Sequence, residues 1–330
     1  MPSLRLVFAG SPAAAVPSLE ALVASNHVIA AVLTREDSPQ GRRGVLTQTP
    51  VADAAARLGL TVIKTNELSH EITDVISTLD PDLGVIVAYG GFVREPLLSL
   101  PVNGWINLHF SLLPRWRGAA PVQRSIIAGE EITGSTVFSL VPQMDAGEVL
   151  GQLTQKVSGD ETAGELLETL AVSGAELVTR VVASIADGTA RPEPQSGEVS
   201  FAPKLELADG EIDFAASVHT VANLIRGVTP EPGAFTTIDG VRLKIVSARV
   251  AQTAEPLAPG HLGQEGKSIL IGTATLPIEL ITVHPAGRKA MPAGDWWRGR
   301  PAGSGTSVDA GTSVDAAVSA HATRTPRASE

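Results

Sequence analysis

The sequence predicts an α/β fold, a doubly wound and mostly parallel sheet, followed by a small β-barrel of the oligonucleotide-binding (OB-like) type. Three observations predict it. Over the first 150 residues, short β-branched runs alternate with Ala- and Leu-rich stretches of helical spacing, the pattern of parallel strands covered by helices. Residues 188–203 are polar and rich in Pro and Gly, the composition of a linker. Beyond them the texture changes to short strands separated by Asp-Gly and Pro/Gly turns, which fits a small barrel, although the pattern alone does not separate a barrel from a sandwich.

Each element follows from its residues. The apolar runs at 4–9, 28–34, 61–64 and 83–89 read as buried strands. Between them, 17–24, 50–58 and 71–79 carry apolar residues at helical spacing, with Pro17 and Pro50 where a first helical turn tolerates them. A strand over 105–109, a helix over 121–128, and strands over 135–141 and 149–157 come next. The longest helical periodicity, 161–186, closes a first domain that spans 1–187. After the linker, 218–226 is helical in pattern, and 234–238, 242–250, 268–271 and 278–283 are short strands of a second domain, 204–300. Residues 301–330 have almost no large apolar side chains and repeat Gly-Thr-Ser-Val-Asp-Ala from 305 and from 311, so a disordered tail is expected there.

Composition narrows the chemistry. Among 330 residues there is no cysteine, which excludes disulfides, a thiolate nucleophile and Cys-ligated metal. With 25 basic and 35 acidic residues the net charge is −10, which taken as a total disfavours a polyanionic partner. The total hides a gradient, because 241–300 holds eight basic and four acidic residues. The longest apolar stretch, 83–93, is short of the roughly 18–20 residues a membrane span needs, and the N-terminus lacks an export signal. A cytoplasmic protein without membrane attachment, working as a monomer, is expected.

Open parallel sheets hold ligands at the carboxyl ends of their strands, which puts the residues after 83–89 and within 105–109 first. Asn107 and His109 are two apart in a strand and therefore share a face. An amide and an imidazole aimed at one point can stabilise an oxyanion in a water-poor cleft if the imidazole is protonated. Spacing alone gives equal weight to the structural alternative, in which Asn107 caps a turn and His109 is a satisfied core histidine. Further on, Gln143-Met144-Asp145-Ala146-Gly147 places a carboxylate in a loop between two strands. Beside His109, Asp145 would raise the imidazole pKa, hold its tautomer and accept the proton that a nucleophilic amine must lose.

The run Ile106-Asn107-Leu108-His109-Phe110-Ser111-Leu112-Leu113-Pro114-Arg115-Trp116-Arg117-Gly118-Ala119-Ala120-Pro121 resembles the signature of the methionyl-tRNA formyltransferase family, within the folate-dependent formyltransferases. Val87-Ala88-Tyr89-Gly90, Asp145-Ala146-Gly147 and His284-Pro285-Ala286-Gly287-Arg288-Lys289 support it, and the resemblance runs through about residues 3 to 300. It implies transfer of a formyl group from 10-formyltetrahydrofolate to the amino group of methionyl initiator tRNA, without a metal. Asn107 and His109 would stabilise the oxyanion, and Asp145 would orient His109 and relay the proton. Ser111, Leu112, Leu113 and Pro114 would form part of the folate pocket, with the pterin beside the backbone after Tyr89 and Gly90.

The family reaches the acceptor end of the tRNA with the loop after the second strand, here Gly41-Arg42-Arg43-Gly44, which lacks the lysines that usually follow. Arg42 matches the main contact, and Arg43 stands beside it. Arg242, Lys244, Arg249, Arg288 and Lys289 are the barrel cations able to meet phosphates. Phe110, Ala146 and the segment Thr229-Pro230-Glu231-Pro232 also depart from the usual family residues. Two other readings are weighed against this one: a formyltransferase for a small amine of the nucleotide-sugar or glycinamide type, and a non-catalytic folate- or RNA-binding module. The basic barrel and the Arg42 loop argue against the first, and retention of Asn107, His109 and Asp145 together against the second.

Overall fold

The computed structural model describes residues 2–41, 44–301 and 303–309, which form two compact units. The larger takes the chain up to Gly210 together with His219–Ala234, and the smaller takes Glu211–Val218 and the chain from Phe235 onward.

In the larger unit the elements are β1 (Arg5–Gly10), α1 (Val16–Val23), β2 (Val28–Thr34), β3 (Ser38–Gln40), β4 (Val45–Thr47), α2 (Pro50–Arg57), β5 (Val62–Lys64), α3 (His70–Ser77) and β6 (Leu83–Val87). They continue with β7 (Trp105–His109), β8 (Arg117–Gly118), α4 (Pro121–Ile127), β9 (Ile132–Ser139), β10 (Val149–Lys156), α5 (Ala163–Ala186), β11 (Phe201–Ala202) and α6 (Val218–Gly227). The main sheet has the order β10-β9-β7-β6-β1-β2-β5. β5, β2, β1, β6 and β7 are parallel, and β9 and β10 extend the sheet as antiparallel strands. The chain winds outward from β1 in both directions, so the switch point of the sheet lies between β1 and β6. One face buries Leu6, Phe8, Val85, Leu108 and Val137 with α1, α2 and α5; the other buries Val7, Ala9, Ile86, Tyr89 and Trp105.

Local chemistry sets the helix starts. Thr49 and Ser69 cap α2 and α3, and Thr162 with Glu165 makes a capping box at α5, which starts that helix two residues later than the periodicity suggests. By length and composition α5 could cross a bilayer, but Leu166, Leu170, Leu177, Val178, Val181 and Val182 are buried in the core. β6 ends at Val87 rather than 89 because Ala88 takes a positive φ of 48° and leaves the strand conformation.

Two boundaries differ from expectation. The 188–203 segment is fastened to the larger unit: β11 pairs in parallel with β8, and Glu193 and Val149 exchange backbone hydrogen bonds. Its Pro-rich composition suits an extended strap as well as a free linker. α6 lies almost wholly in the larger unit, where the Arg226 guanidinium donates to the Glu161 carbonyl at 2.9 Å and Gly227 comes so close to α4 that a Cβ would lie 2.5 Å from Ile127 Cγ1.

The smaller unit holds β12 (Ala234–Ile238), β13 (Val241–Val250), β14 (Leu262–Glu265), β15 (Ser268–Ile271), β16 (Ile278–Pro285), β17 (Met291–Pro292) and α7 (Ala293–Arg298). Its sheet runs β12-β13-β16-β15-β14, with β17 on β16. β14 escapes the sequence pattern because it has one buried apolar residue, Leu262, and is held by its antiparallel pairing with β15.

The expectation of a disordered 301–330 tail is corrected over 303–309. Thr306 O accepts from Leu262 N at 2.8 Å, Val308 N donates to Gly260 O and Asp309 N to Thr237 O at 2.8 Å each, and Gly305 N donates to Asp239. Backbone pairing holds this stretch without large side chains; residue 302 and residues 310–330 lie outside the described residues. A chain ending at Arg300 is predicted to be less stable in its C-terminal unit than one ending at Asp309, since each lost hydrogen bond is worth about 0.5–1.5 kcal/mol. Equal urea midpoints for the two would refute the assignment.

Candidate active site

The site is built on β7, beside the switch point. Trp105 anchors that strand: its indole Nε1 donates to Leu97 O at 2.8 Å, and its ring fills the space over Gly84, where a Cβ would lie 2.0 Å from Trp105 Cε3. With Trp105 packed on one face, the two-residue repeat sends Asn107 and His109 to the same face. Asn107 is half-buried and lines a cleft, while His109, 6% exposed, sits behind it.

Two oxygens flank the imidazole. Nε2 lies 2.8 Å from the Trp116 carbonyl, an acceptor only, so Nε2 carries the proton and donates it. Nδ1 faces Asp145 Oδ2 at 3.8 Å, and that carboxylate oxygen accepts from the Gly118 N–H at 2.7 Å. The Phe138 ring meets the imidazole edge to face, centroids 6.4 Å apart. Burial pushes the His109 pKa below its ordinary 6.5; the Asp145 charge and the Trp116 carbonyl oppose this but do not cancel it. His109 is therefore neutral at pH 7, and its pairing with Asp145 is poised rather than ionic. Backbone strain gathers here: Ala88, Trp116 and Asp145 adopt φ values of 48°, 63° and 48°, a region L residues occupy at a cost and commonly at functional sites.

The cleft has a volume of about 530 Å³ and is lined by Ile86, Phe92, Arg94, Asn107, Phe138 and Asp145, among others. That size and its mixture of apolar and polar lining residues suit a drug-sized organic ligand. Tyr89 and Gly90 lie just before this wall. The buried Tyr89 hydroxyl donates to Thr65 O at 3.0 Å, the Arg35 guanidinium lies 5.6 Å from its ring centroid, and Arg35 also bonds Gly90 O. They turn the chain into residues 91–95, which form the wall itself.

Ser111, Leu112, Leu113 and Pro114 are outside the cleft lining. Thr136 Oγ1 donates to Ser111 O at 2.7 Å and accepts from Leu113 N at 3.1 Å, and Gln152 Nε2 donates to Leu113 O at 3.1 Å. The turn thus brings the chain back so that Trp116 O reaches His109, and Leu112 is its one member that is not buried.

Sequence reasoning missed four supports of this site. Gln195 Nε2 donates to Asp145 O and Gly147 O, Ser200 Oγ accepts from Trp116 N at 2.9 Å, Glu130 accepts from Trp116 Nε1 at 2.8 Å, and Thr136 holds the turn. A glutamine or serine in a Pro-rich stretch gives no periodic signal, so only the fold reveals these contacts.

The expected tRNA contacts divide. Arg42 and Arg43 lie outside the described residues. In the smaller unit, Lys244 stands opposite His284, and Arg242 O accepts from Ala286 N at 3.0 Å. Arg288 and Lys289 are exposed on the turn that follows, so Arg242, Lys244, Arg288 and Lys289 share one end of the β13–β16 pair. Arg242 also stacks on Phe235, 4.3 Å from the ring centroid. Arg249 does not join them: it is at the other end of β13, its Nε bonded to Glu279 at 2.6 Å, and the ion pair occupies its charge.

Comparison with known proteins gives this geometry its class. A formyl transferase domain matches residues 4–182 and a formyl transferase C-terminal domain residues 204–301, so the chain belongs to the formyl transferase family. Among curated relatives, the methionyl-tRNA formyltransferase of Leifsonia xyli is 57% identical over 90% of this chain and 97% of the relative. That of Clavibacter sepedonicus is 55% identical over the same shares, and that of Thermobifida fusca 47% identical over 92% and 98%. Of solved structures, an N-formyltransferase from Helicobacter canadensis superposes with a TM-score of 0.64 at 18% identity, covering 84% of this chain and 98% of its own. HypX from Aquifex aeolicus reaches 0.61 at 17%, over 91% and 48%; at these identities the likeness is one of fold.

The lowered His109 pKa has a thermodynamic consequence. As pH falls below about 6.5 the unfolded imidazole takes up a proton that the folded one refuses, so stability is lost on acidification. His27, whose pKa burial also lowers, contributes in the same direction and is left in place by a change at 109. His109→Gln is predicted to show a smaller fall in unfolding free energy between about pH 7.5 and pH 5.5 than the parent protein. Urea titrations with equal falls would count against a buried, neutral His109.

Proposed function

We propose that the protein transfers the formyl group of 10-formyltetrahydrofolate to the amino group of methionine on initiator tRNA, and so supports translation initiation in the cytoplasm. The observation that carries the reading is the placing of Asn107 and Asp145 at one cleft with a neutral His109 held between Trp116 O and Asp145. The names of relatives at 47–57% identity favour methionyl-tRNA over a small amine as acceptor. When bound, the folate supplies an activated formyl group; everything else falls to the protein.

The Asn107 side-chain amide lines the cleft and would donate to the formyl oxygen as negative charge develops on it. Neutral His109 cannot carry its own charge into that step, but its Nδ1 lone pair is free to take the proton that the attacking amine gives up. The resulting imidazolium would be held by Trp116 O on Nε2 and by Asp145 on Nδ1, and would strengthen the field at the oxyanion. The same proton then serves the departing folate nitrogen, which leaves His109 neutral for the next turnover. Asp145 thereby stabilises the charged form only while it is needed.

In this reading the wall formed by residues 91–95 meets the folate, and the 111–114 turn, outside that cleft, serves by bringing Trp116 O back to His109. Arg42, Arg43, Arg242, Lys244, Arg288 and Lys289 meet the tRNA phosphates, which overcomes the acidic total locally. No second copy of the chain is required by the site.

The test offers 10-formyltetrahydrofolate with methionyl initiator tRNA, and in parallel with methionyl elongator tRNA. Formylation of the first well above the second is expected; no formylation of either would refute the function, and equal formylation would refute tRNA discrimination. In the same assay Asp145→Asn should bind folate normally and lose about 100-fold or more in kcat, the scale of a proton-transfer partner. Normal turnover would remove Asp145 from the mechanism.

A further inference from the structure

We infer that Gln195 is a positioning residue for this reaction, one that fixes the Asp145 loop against the strand that orients His109; the inference rests on the function proposed above. Its side-chain amide spends all its near contacts on the site. Nε2 donates to Asp145 O at 2.8 Å and to Gly147 O at 2.9 Å, while Oε1 accepts from Arg117 Nη2 at 2.6 Å and Nε at 3.2 Å. One residue therefore ties both ends of the Asp145-Ala146-Gly147 turn to β8, whose Gly118 N–H holds the Asp145 carboxylate.

Its neighbours fasten the other side of the imidazole. Glu193 and Val149 exchange backbone hydrogen bonds of 2.7 and 2.9 Å, which anchors the strap two residues before Gln195. Ser200 Oγ accepts from Trp116 N and Ser200 O from Arg117 N, each at 2.9 Å. Trp116 is the residue whose carbonyl accepts the hydrogen bond from His109 Nε2. Residues 193–202 thus reach Asp145 and Trp116, the two groups that flank His109, from a single extended segment.

Geometry explains why such a strap matters. Asp145 and Trp116 both hold positive φ, a conformation that non-glycine residues keep only where their surroundings impose it. Asp145 Oδ2 is 3.8 Å from Nδ1, beyond a hydrogen bond but within the short movement that would make one when His109 takes a proton. A loop displaced by about an ångström away from His109 would forfeit that contact, a scale of misplacement that costs enzymes dearly. Gln195 acts on the main chain of Asp145 and Gly147, so it determines where the carboxylate starts.

Two variants of the full chain test this. Gln195→Leu removes every bond; Gln195→Glu keeps an acceptor for Arg117 but cannot donate to the two loop carbonyls. Both are expected to lower kcat roughly 10–30-fold, with KM for 10-formyltetrahydrofolate and for methionyl-tRNA within about twofold of the parent. In addition, the His109 proton titration followed by NMR should move in Gln195→Leu from the parent value toward that of Asp145→Asn. A role confined to holding the chain together would lower the melting temperature and move neither readout. Unchanged His109 titration in Gln195→Leu, or parent-like kcat in Gln195→Glu, overturns the assignment. Failure of the proposed function would appear differently, as a parent protein that formylates nothing, while the titration comparison would still report on the strap.

Discussion

The hydrogen bond from His109 Nε2 to the Trp116 carbonyl, 2.8 Å long, is the contact on which the rest of the site depends. It sets the tautomer, so that the other nitrogen is the one free to exchange a proton, and it turns that nitrogen toward Asp145. To make it, the chain must leave β7 at His109, reverse through residues 111–114 and present a carbonyl seven residues later. Thr136 and Gln152 hold the reversal, and Glu130 and Ser200 hold Trp116 itself. The larger unit can be viewed as a sheet that delivers one histidine and a set of loops that deliver its acceptor.

Burial and charge are balanced around that bond. Desolvation keeps His109 neutral at rest, and a partly exposed Asp145 favours the charged form only as a proton arrives. A fully ionised pair buried in the same place would carry a heavy desolvation cost before any substrate bound. The electrostatics of the whole chain follow a similar division. The net charge of −10 argues against a nucleic-acid partner only as a sum, since Arg242, Lys244, Arg288 and Lys289 collect at one end of a strand pair while Arg249 is neutralised by Glu279.

Much of this was legible in the residues. The strands of the main sheet are apolar runs that leave little choice of conformation, and Asn107 and His109 share a face because any strand places i and i+2 together. Asp145 could be named but not located: its position is set by the Gly118 amide and by Gln195, which lie 27 and 50 residues away in sequence. The strap was unreadable for the same reason, since Pro-rich composition describes a free linker and a fastened one equally well. β14 and 303–309 were hidden because backbone pairing, not apolar side chains, holds them. Capping and positive φ account for the shifted ends of α5 and β6.

The proposed mechanism requires His109 to rest as a neutral imidazole with its proton on Nε2, which leaves Nδ1 able to exchange a proton with the reacting amine. Long-range proton–nitrogen NMR of the imidazole reads this directly in the ligand-free protein near pH 7. The account predicts a protonated Nε2 and an unprotonated, pyridine-like Nδ1. An imidazolium at that pH, or a proton on Nδ1 in place of Nε2, would contradict it.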